Sequence, residues 1–316
     1  MEFLLALAVG VIATPLVAVL ARRVGIVDRP GPLKTHRRPV AYLGGVAVFA
    51  GLVVGAVSLG RVELLIPLAL ALALGLADDL RPLPATMRLA AECGVGVAAA
   101  LTVPGDPLVR VATGGLAIVL VNAVNLLDGQ DGLAASVAAV SALAFATLGG
   151  DARSYGLALA GVLVGFLVYN LPPARIYLGD AGAYLLGTAL AVAPALTLVG
   201  PDGARSEWSV LLATPLIVAV PLVDTAVAVI RRLREGHPLF AGDRSHVYDQ
   251  LVDRGWTVRG STVVLALAQL GLAAAGVLAA GLGAAGALIC TVCGVLVVGV
   301  VVVRGGFVAS DVSREE

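Results

Sequence analysis

Long apolar runs separated by short polar breaks occupy almost the whole chain, at 3–20, 43–59, 63–77, 89–103, 111–127, 133–148, 155–170, 182–199, 209–230, 261–281 and 284–303. A helix needs about 20 apolar residues to cross a hydrocarbon layer, or somewhat fewer where the bilayer thins. The pattern therefore predicts an all-α polytopic integral membrane protein with about eleven transmembrane helices. The third run is short for a span. We read residues 1–316 as a single transmembrane domain, with the polar loop 231–260 contributing to whatever site it carries.

Charge sets the expected orientation. With the N-terminus outside, the segments 21–42, 78–88, 128–132, 171–181 and 231–260 and the tail from Arg304 fall in the cytosol. They hold 17 of the 21 lysines and arginines, Arg61, Arg110, Arg153 and Arg205 being the other four. Such a bias retains basic loops on the cytosolic side and predicts a cytosolic C-terminus. Glu2 precedes the first run and Arg22 and Arg23 follow it, the reverse of a secretory signal, so this run is expected to stay as an anchor.

Composition excludes two classes. At 59% hydrophobic and 13% charged, the chain is no soluble globule, and a net charge of +0 with 4% aromatics gives nucleic acid little to bind. Cys93, Cys290 and Cys293 lie in apolar runs without nearby histidine, and are read as packing residues.

Against that background the polar groups at the ends of runs carry the information. Asn122, Asn125, Asp128 and Asp131 follow one another at intervals of three at the close of the fifth run, with Gly129 and Gly132 between. Lipid penalises such groups unless they serve a function, and the spacing predicts a polar rim on neighbouring parts of one helix. Asp78-Asp79 ends the third run just before Leu-Arg-Pro-Leu-Pro; adjacent residues diverge by about 100° on a helix, so divided roles are expected of the two carboxylates. In Tyr177-Leu-Gly-Asp180-Ala-Gly182, glycines flank an acid at the mouth of the next run, an arrangement suited to phosphate on exposed N–H groups and a hard cation on Asp180. Together these acids suit Mg²⁺, or Mn²⁺ in its place, with a diphosphate. Arg231, Arg232, Arg234, Arg244 and His246 supply phosphate-binding and proton-carrying groups.

In order along the chain, Lys34-Thr-His36, Leu43-Gly44-Gly45, Asp78-Asp79, Asn122-x-x-Asn125-x-x-Asp128-Gly-x-Asp131-Gly, Asn170-x-x-Pro-Ala, Gly179-Asp180-x-Gly182, Pro221-x-x-Asp224-Thr and Asp243-Arg244-Ser-His246 resemble the polyprenyl-phosphate N-acetylhexosamine-1-phosphate transferases. The resemblance covers nearly the whole chain. It implies transfer of a phospho-sugar, with GlcNAc-1-phosphate the first expectation, from a UDP-N-acetylhexosamine to an undecaprenyl or decaprenyl phosphate. UMP would be released at the cytosolic face of a bacterial plasma membrane, beginning cell-wall or surface glycan assembly.

By position, the resemblance implies Asp180 as the Mg²⁺ ligand, with Asp78 a second candidate, and Asp78, Asp79 and His246 as catalytic residues. Lys34, Asn122, Asn125, Asp128, Asp131 and Asn170 would bind substrate or shape its site, Tyr177 would stack on uracil, and Arg244 and His246 would meet the diphosphate. The expected partners are the UDP-sugar, the polyprenyl phosphate and membrane lipid, with a second copy of the chain as a further candidate and no nucleic acid. Val247-Tyr248-Asp249 replaces further histidines, Ala183 replaces a serine, and Ala41-Tyr42 replaces a Pro-Arg pair common in relatives, departures that bear on sugar specificity. A phospho-MurNAc-pentapeptide transferase is the alternative within the family. A secondary transporter is the rival of another class, although transporter sites lie near the midplane and these acids lie at the ends of runs.

Overall fold

A computed structural model describes residues 1–28, 39–200, 205–238 and 245–308. These residues form α1 (Glu2–Val24), a two-stranded ribbon of β1 (Val27–Asp28) and β2 (Val40–Ala41), α2 (Gly44–Leu59), α3 (Leu65–Leu80), α4 (Ala85–Thr102), α5 (Pro107–Leu127), α6 (Leu133–Thr147) and α7 (Ala152–Asn170). They continue with α8 (Gly179–Leu196), α9 (Glu207–Ile217), α10 (Ala219–Glu235), α11 (Val247–Asp253), α12 (Val258–Ala280) and α13 (Gly283–Arg304).

Every predicted apolar run coincides with helix, because a chain in lipid must satisfy its backbone groups within the segment. Among the described residues, α1, α5, α7, α8, α12 and α13 are each long and apolar enough to cross a membrane, and α9 with α10 makes a seventh. Of the others, α2 and α6 are shorter apolar helices, α3 has 16 residues and ends on Asp78 and Asp79 before Leu80, and α4 carries Arg88 and Glu92. Two helix starts are written locally. The Asp106 side chain accepts the Val109 N–H at 2.9 Å, with Pro107 in the first turn of α5, and Thr257 Oγ1 accepts the Gly260 N–H at 3.0 Å to open α12.

The organising element is α8. All of its residues are buried except Asp180, as its apolar and small side chains on every side require. It lies against α2, α3 and α5, and glycines let the backbones approach. A Cβ at Gly75 of α3 would collide with the Asp180 carbonyl, and one at Gly45 of α2 would lie 2.5 Å from the Gly182 nitrogen. By contrast α13 buries only Ala287 and leaves its valines and leucines outward, a surface suited to lipid tails.

The run 209–230 is bent near its middle. Helices α9 and α10 meet at 63°. Pro221 has no N–H to give the Ile217 carbonyl, and the buried Gln269 of α12 repairs the break. Its Nε2 donates to Ile217 O at 2.6 Å and its Oε1 accepts the Val220 N–H at 2.9 Å.

Candidate active site

The acidic pair ending α3 is divided as its helical phase requires. Asp79 turns to the start of α8, where its Oδ1 accepts the Asp180 N–H at 2.8 Å and its Oδ2 the Ala181 N–H at 3.0 Å. A carboxylate there satisfies orphan donors and favours the positive end of the helix dipole. Gly179 makes this possible with φ +76°, and a Cβ on it would sit 2.8 Å from Asp79 Oδ2. Asp78 faces the other way. It accepts the Leu83 N–H at 2.7 Å, which closes the turn after α3, and the Tyr184 hydroxyl at 2.7 Å, and Arg88 of α4 lies 3.6 Å from it.

With Asp78 and Asp79 so occupied, Asp180 projects from the helix they support. The Asn125 side chain of α5 lies close enough to it to interact. Asp128, one residue past the end of α5, has its carboxyl pushed well above the ordinary range by desolvation, and the charges of Asp180, Asp79 and Asp131 push it further. The ends of α3 and α5 and the start of α8 therefore bring Asp78, Asp79, Asn125, Asp128 and Asp180 to one place.

Two further sequence candidates shape the approach. The Asp131 carboxylate accepts the Ala174 N–H at 2.8 Å, tying the α5–α6 turn to the segment after α7, and the buried Asn170 donates to Ile176 O at 2.9 Å. That segment is held in turn by β2. The Tyr177 N–H donates to Ala41 O at 2.8 Å, and the Gly44 and Gly45 N–H groups donate to Tyr177 O and Leu178 O, both at 3.0 Å. Tyr177 is fixed with its ring edge-on to Tyr42, centroids 6.2 Å apart and planes at 89°. Burial raises both phenols above their ordinary range, and nearby carboxylates add to it.

The expected polar rim on α5 divides among several partners. Three residues advance a helix by about 300°, so successive members rotate by about 60°. Asn122 points to α4, where its Nδ2 donates to Glu92 Oε2 at 2.6 Å and to Ile118 O at 2.9 Å. Asn125 meets Asp180, Asp128 lies beyond the helix, and Asp131 holds a loop.

A second cluster lies on α10 and α11. His246 Nδ1 and Asp224 Oδ2 are 2.7 Å apart and both side chains are buried; Asp224 Oδ1 accepts the Val247 N–H at 2.8 Å. Tyr248 stacks on the imidazole at 5.5 Å and donates to Leu126 O at 3.2 Å, so this cluster is joined to the end of α5. A largely apolar cavity of about 480 Å³ opens beside Asp224 between Val220, Val223, Leu265, Ala268, Val298 and Phe307. Lys34 and Arg244 lie outside the described residues, as do His36 and Asp243.

Among the described residues no three His, Cys, Asp or Glu side chains converge as a ready metal cage. Mg²⁺ rarely needs one, since it takes one or two carboxylates and fills its shell with water and phosphate oxygens. Asp180, half-buried at the head of an otherwise buried helix and beside the desolvated Asp128, fits that demand.

Sequence reasoning missed Glu92, Arg88, Tyr184 and Gln269. For Glu92 and Gln269 the signal was a lone polar residue in an apolar run, which lipid penalises. Tyr184 carried no such signal.

Residues 62–198 match the family model described as glycosyl transferase family 4. The chain is 31% identical over 291 residues to the Bacillus subtilis protein named "Probable undecaprenyl-phosphate N-acetylglucosaminyl 1-phosphate transferase", covering 84% of this chain and 80% of that one. It is also 31% identical over 310 residues to the decaprenyl-phosphate N-acetylglucosaminephosphotransferase of Mycobacterium tuberculosis H37Rv, covering 81% and 76%. To the undecaprenyl-phosphate alpha-N-acetylglucosaminyl 1-phosphate transferase of Escherichia coli K12 it is 28% identical over 285 residues, covering 79% and 75%.

Proposed function

This chain belongs to glycosyl transferase family 4 and is a sugar-1-phosphate transferase of multi-pass membrane architecture, and from that premise we propose that it transfers GlcNAc-1-phosphate from UDP-GlcNAc to a polyprenyl phosphate at the cytosolic face of a bacterial plasma membrane. The observation that carries the reading is the gathering of Asp78, Asp79, Asn125, Asp128 and Asp180 at one end of α3, α5 and α8, around the single side chain that α8 does not bury. The excess of lysine and arginine in the loops on that side supports its cytosolic placement and the eleven-span topology with the N-terminus outside.

The acceptor is a phosphate monoester with a second pKa near 6, largely ionised at neutral pH, so a strong general base is unnecessary. The larger barrier is repulsion between an anionic nucleophile and an anionic diphosphate. Mg²⁺, when bound by Asp180 with Asp128 or Asp78 nearby, supplies the charge neutralisation that brings the two together. Asp79 holds the Asp180 backbone and so keeps its side chain directed into the site. Tyr177, locked to β2, offers a ring on which uracil stacks. His246, oriented through Nδ1 by Asp224, is the group beside the cavity able to carry a proton. The apolar cavity takes the first isoprene units of the acceptor, since its lining matches hydrocarbon and includes Asp224, the partner of His246.

The test is purified protein with Mg²⁺, polyprenyl phosphate and a panel of UDP-sugars, scored by UMP release. Release with UDP-GlcNAc that requires both lipid phosphate and metal is expected. UMP release independent of the lipid phosphate, or none with any UDP-N-acetylhexosamine, would overturn the assignment.

A further inference from the structure

Arg88 and Glu92 lie one turn apart in α4, a helix that contributes none of the residues assigned above. Glu92 is 1% exposed. Its Oε2 accepts a hydrogen bond from Asn122 at 2.6 Å, while Oε1 has no hydrogen-bond partner and faces Arg88 Nε at 3.7 Å. On its other side, Arg88 Nη1 lies 3.6 Å from Asp78 Oδ2. Both separations are those of ion pairs too long for hydrogen bonds. Among the described residues the guanidinium has no hydrogen-bond partner, and its side chain is 29% exposed. A buried carboxylate with one unpaired oxygen is costly, and a closed pair at shorter distance would relieve it. Here the cation is instead suspended between two carboxylates with its fork of donors unspent, beside Asp78 and within the field of Asp180. Guanidinium donors in that state match the oxygens of a phosphate.

Building on the proposed reaction, we propose that Glu92 is a positioning residue that holds Arg88 as a phosphate-binding group at the edge of the acidic site. The phosphate belongs either to the lipid acceptor or to the nucleotide diphosphate, and both offer the same oxygens. A structural i,i+4 pair on the helix surface would give the same local contact, so the test must separate the two roles.

Glu92→Gln keeps the side-chain volume and an oxygen for Asn122 but removes the charge facing Arg88. Binding of a short-chain prenyl phosphate and of UDP is measured by calorimetry on the purified full chain in detergent, for wild type, Glu92→Gln, Arg88→Gln and the double variant. We expect the affinity for one of the two probes to fall about tenfold in Glu92→Gln, the order of a mis-set charge-assisted hydrogen bond. The probe affected identifies the source of the phosphate. In the Arg88→Gln background, Glu92→Gln should add nothing further. Unchanged affinities for both probes, or an equal fall with and without Arg88, would overturn the proposal. Should Glu92→Gln fail to fold, Glu92→Asp withdraws the charge by one methylene, and the same loss confined to one probe is expected and the same null result refutes it. These binding readouts are independent of turnover, so a wild type that releases no UMP would discredit the reaction without touching the role of Glu92.

Discussion

Gln269 offers the sharpest test of how this fold is held. Its amide satisfies both backbone groups orphaned where α9 breaks into α10, at 2.6 Å to Ile217 O and 2.9 Å from the Val220 N–H, with the side chain fully buried. Gln269→Leu preserves the volume and removes both partners. Each buried group left unsatisfied costs about 1–3 kcal/mol, so the variant should lose about 2–6 kcal/mol in all. On the scaling of soluble proteins, a chain of this length has an unfolding entropy near 0.66 kcal/mol per degree, and the loss corresponds to a fall in Tm of about 3–9 °C. The assay is thermal unfolding of purified protein in one detergent, followed by helicity. The break also carries Asp224 to His246, so UMP release should fall more steeply than stability at temperatures where the variant remains folded. A Gln269→Leu variant within about 0.5 kcal/mol of wild type would show that the break is held by packing, and the hydrogen-bond argument would fail.

Other expectations follow from the acidic site. Asp180→Asn should abolish turnover while leaving a folded, membrane-inserted protein, because the carboxylate points out of α8; near-normal UMP release would remove it from the metal site. Asp79→Asn keeps one acceptor oxygen for two N–H donors, so it should lower stability by about 1–2 kcal/mol and kcat severely, with little change in the KM for UDP-sugar. A fall in affinity alone would place Asp79 in substrate binding. Since desolvation and neighbouring charges raise the Asp128 carboxyl, protons compete with a cation there, and the Mg²⁺ concentration for half-maximal activity should drop as pH rises through the range in which that carboxyl ionises. An Mg²⁺ demand that grows with pH over that interval would contradict the reasoning.

The division of the acids shows where reading the chain stops. Asp78-Asp79 was recognisable as two carboxylates with separate duties, because the helical angle between neighbours is a local property. Which duty each performs depended on Tyr184 and the α8 backbone, a hundred residues away. Asn122 belongs in spacing to the series that continues through Asn125 and Asp128, yet it faces Glu92, because the rotation along α5 carries it to a different neighbour. Arg88 counted toward topology, and its position between two carboxylates emerged only from the packing of α3 against α4.

Lipid makes part of this protein legible in one dimension. Backbone groups must pair within a segment and side chains must be apolar, so run length and the placement of basic residues determine the helices, the membrane class and the expected sidedness without reference to distant residues. Tertiary structure decided what no local rule contains. It set the bend between α9 and α10, whose orphaned groups are met by a glutamine from another helix, and it determined which carboxylates are spent on backbone N–H groups and which one, Asp180, remains directed into the site. The physical reason is that a buried hydrogen bond is a contest among partners brought close in space, and that contest is settled only when the helices pack.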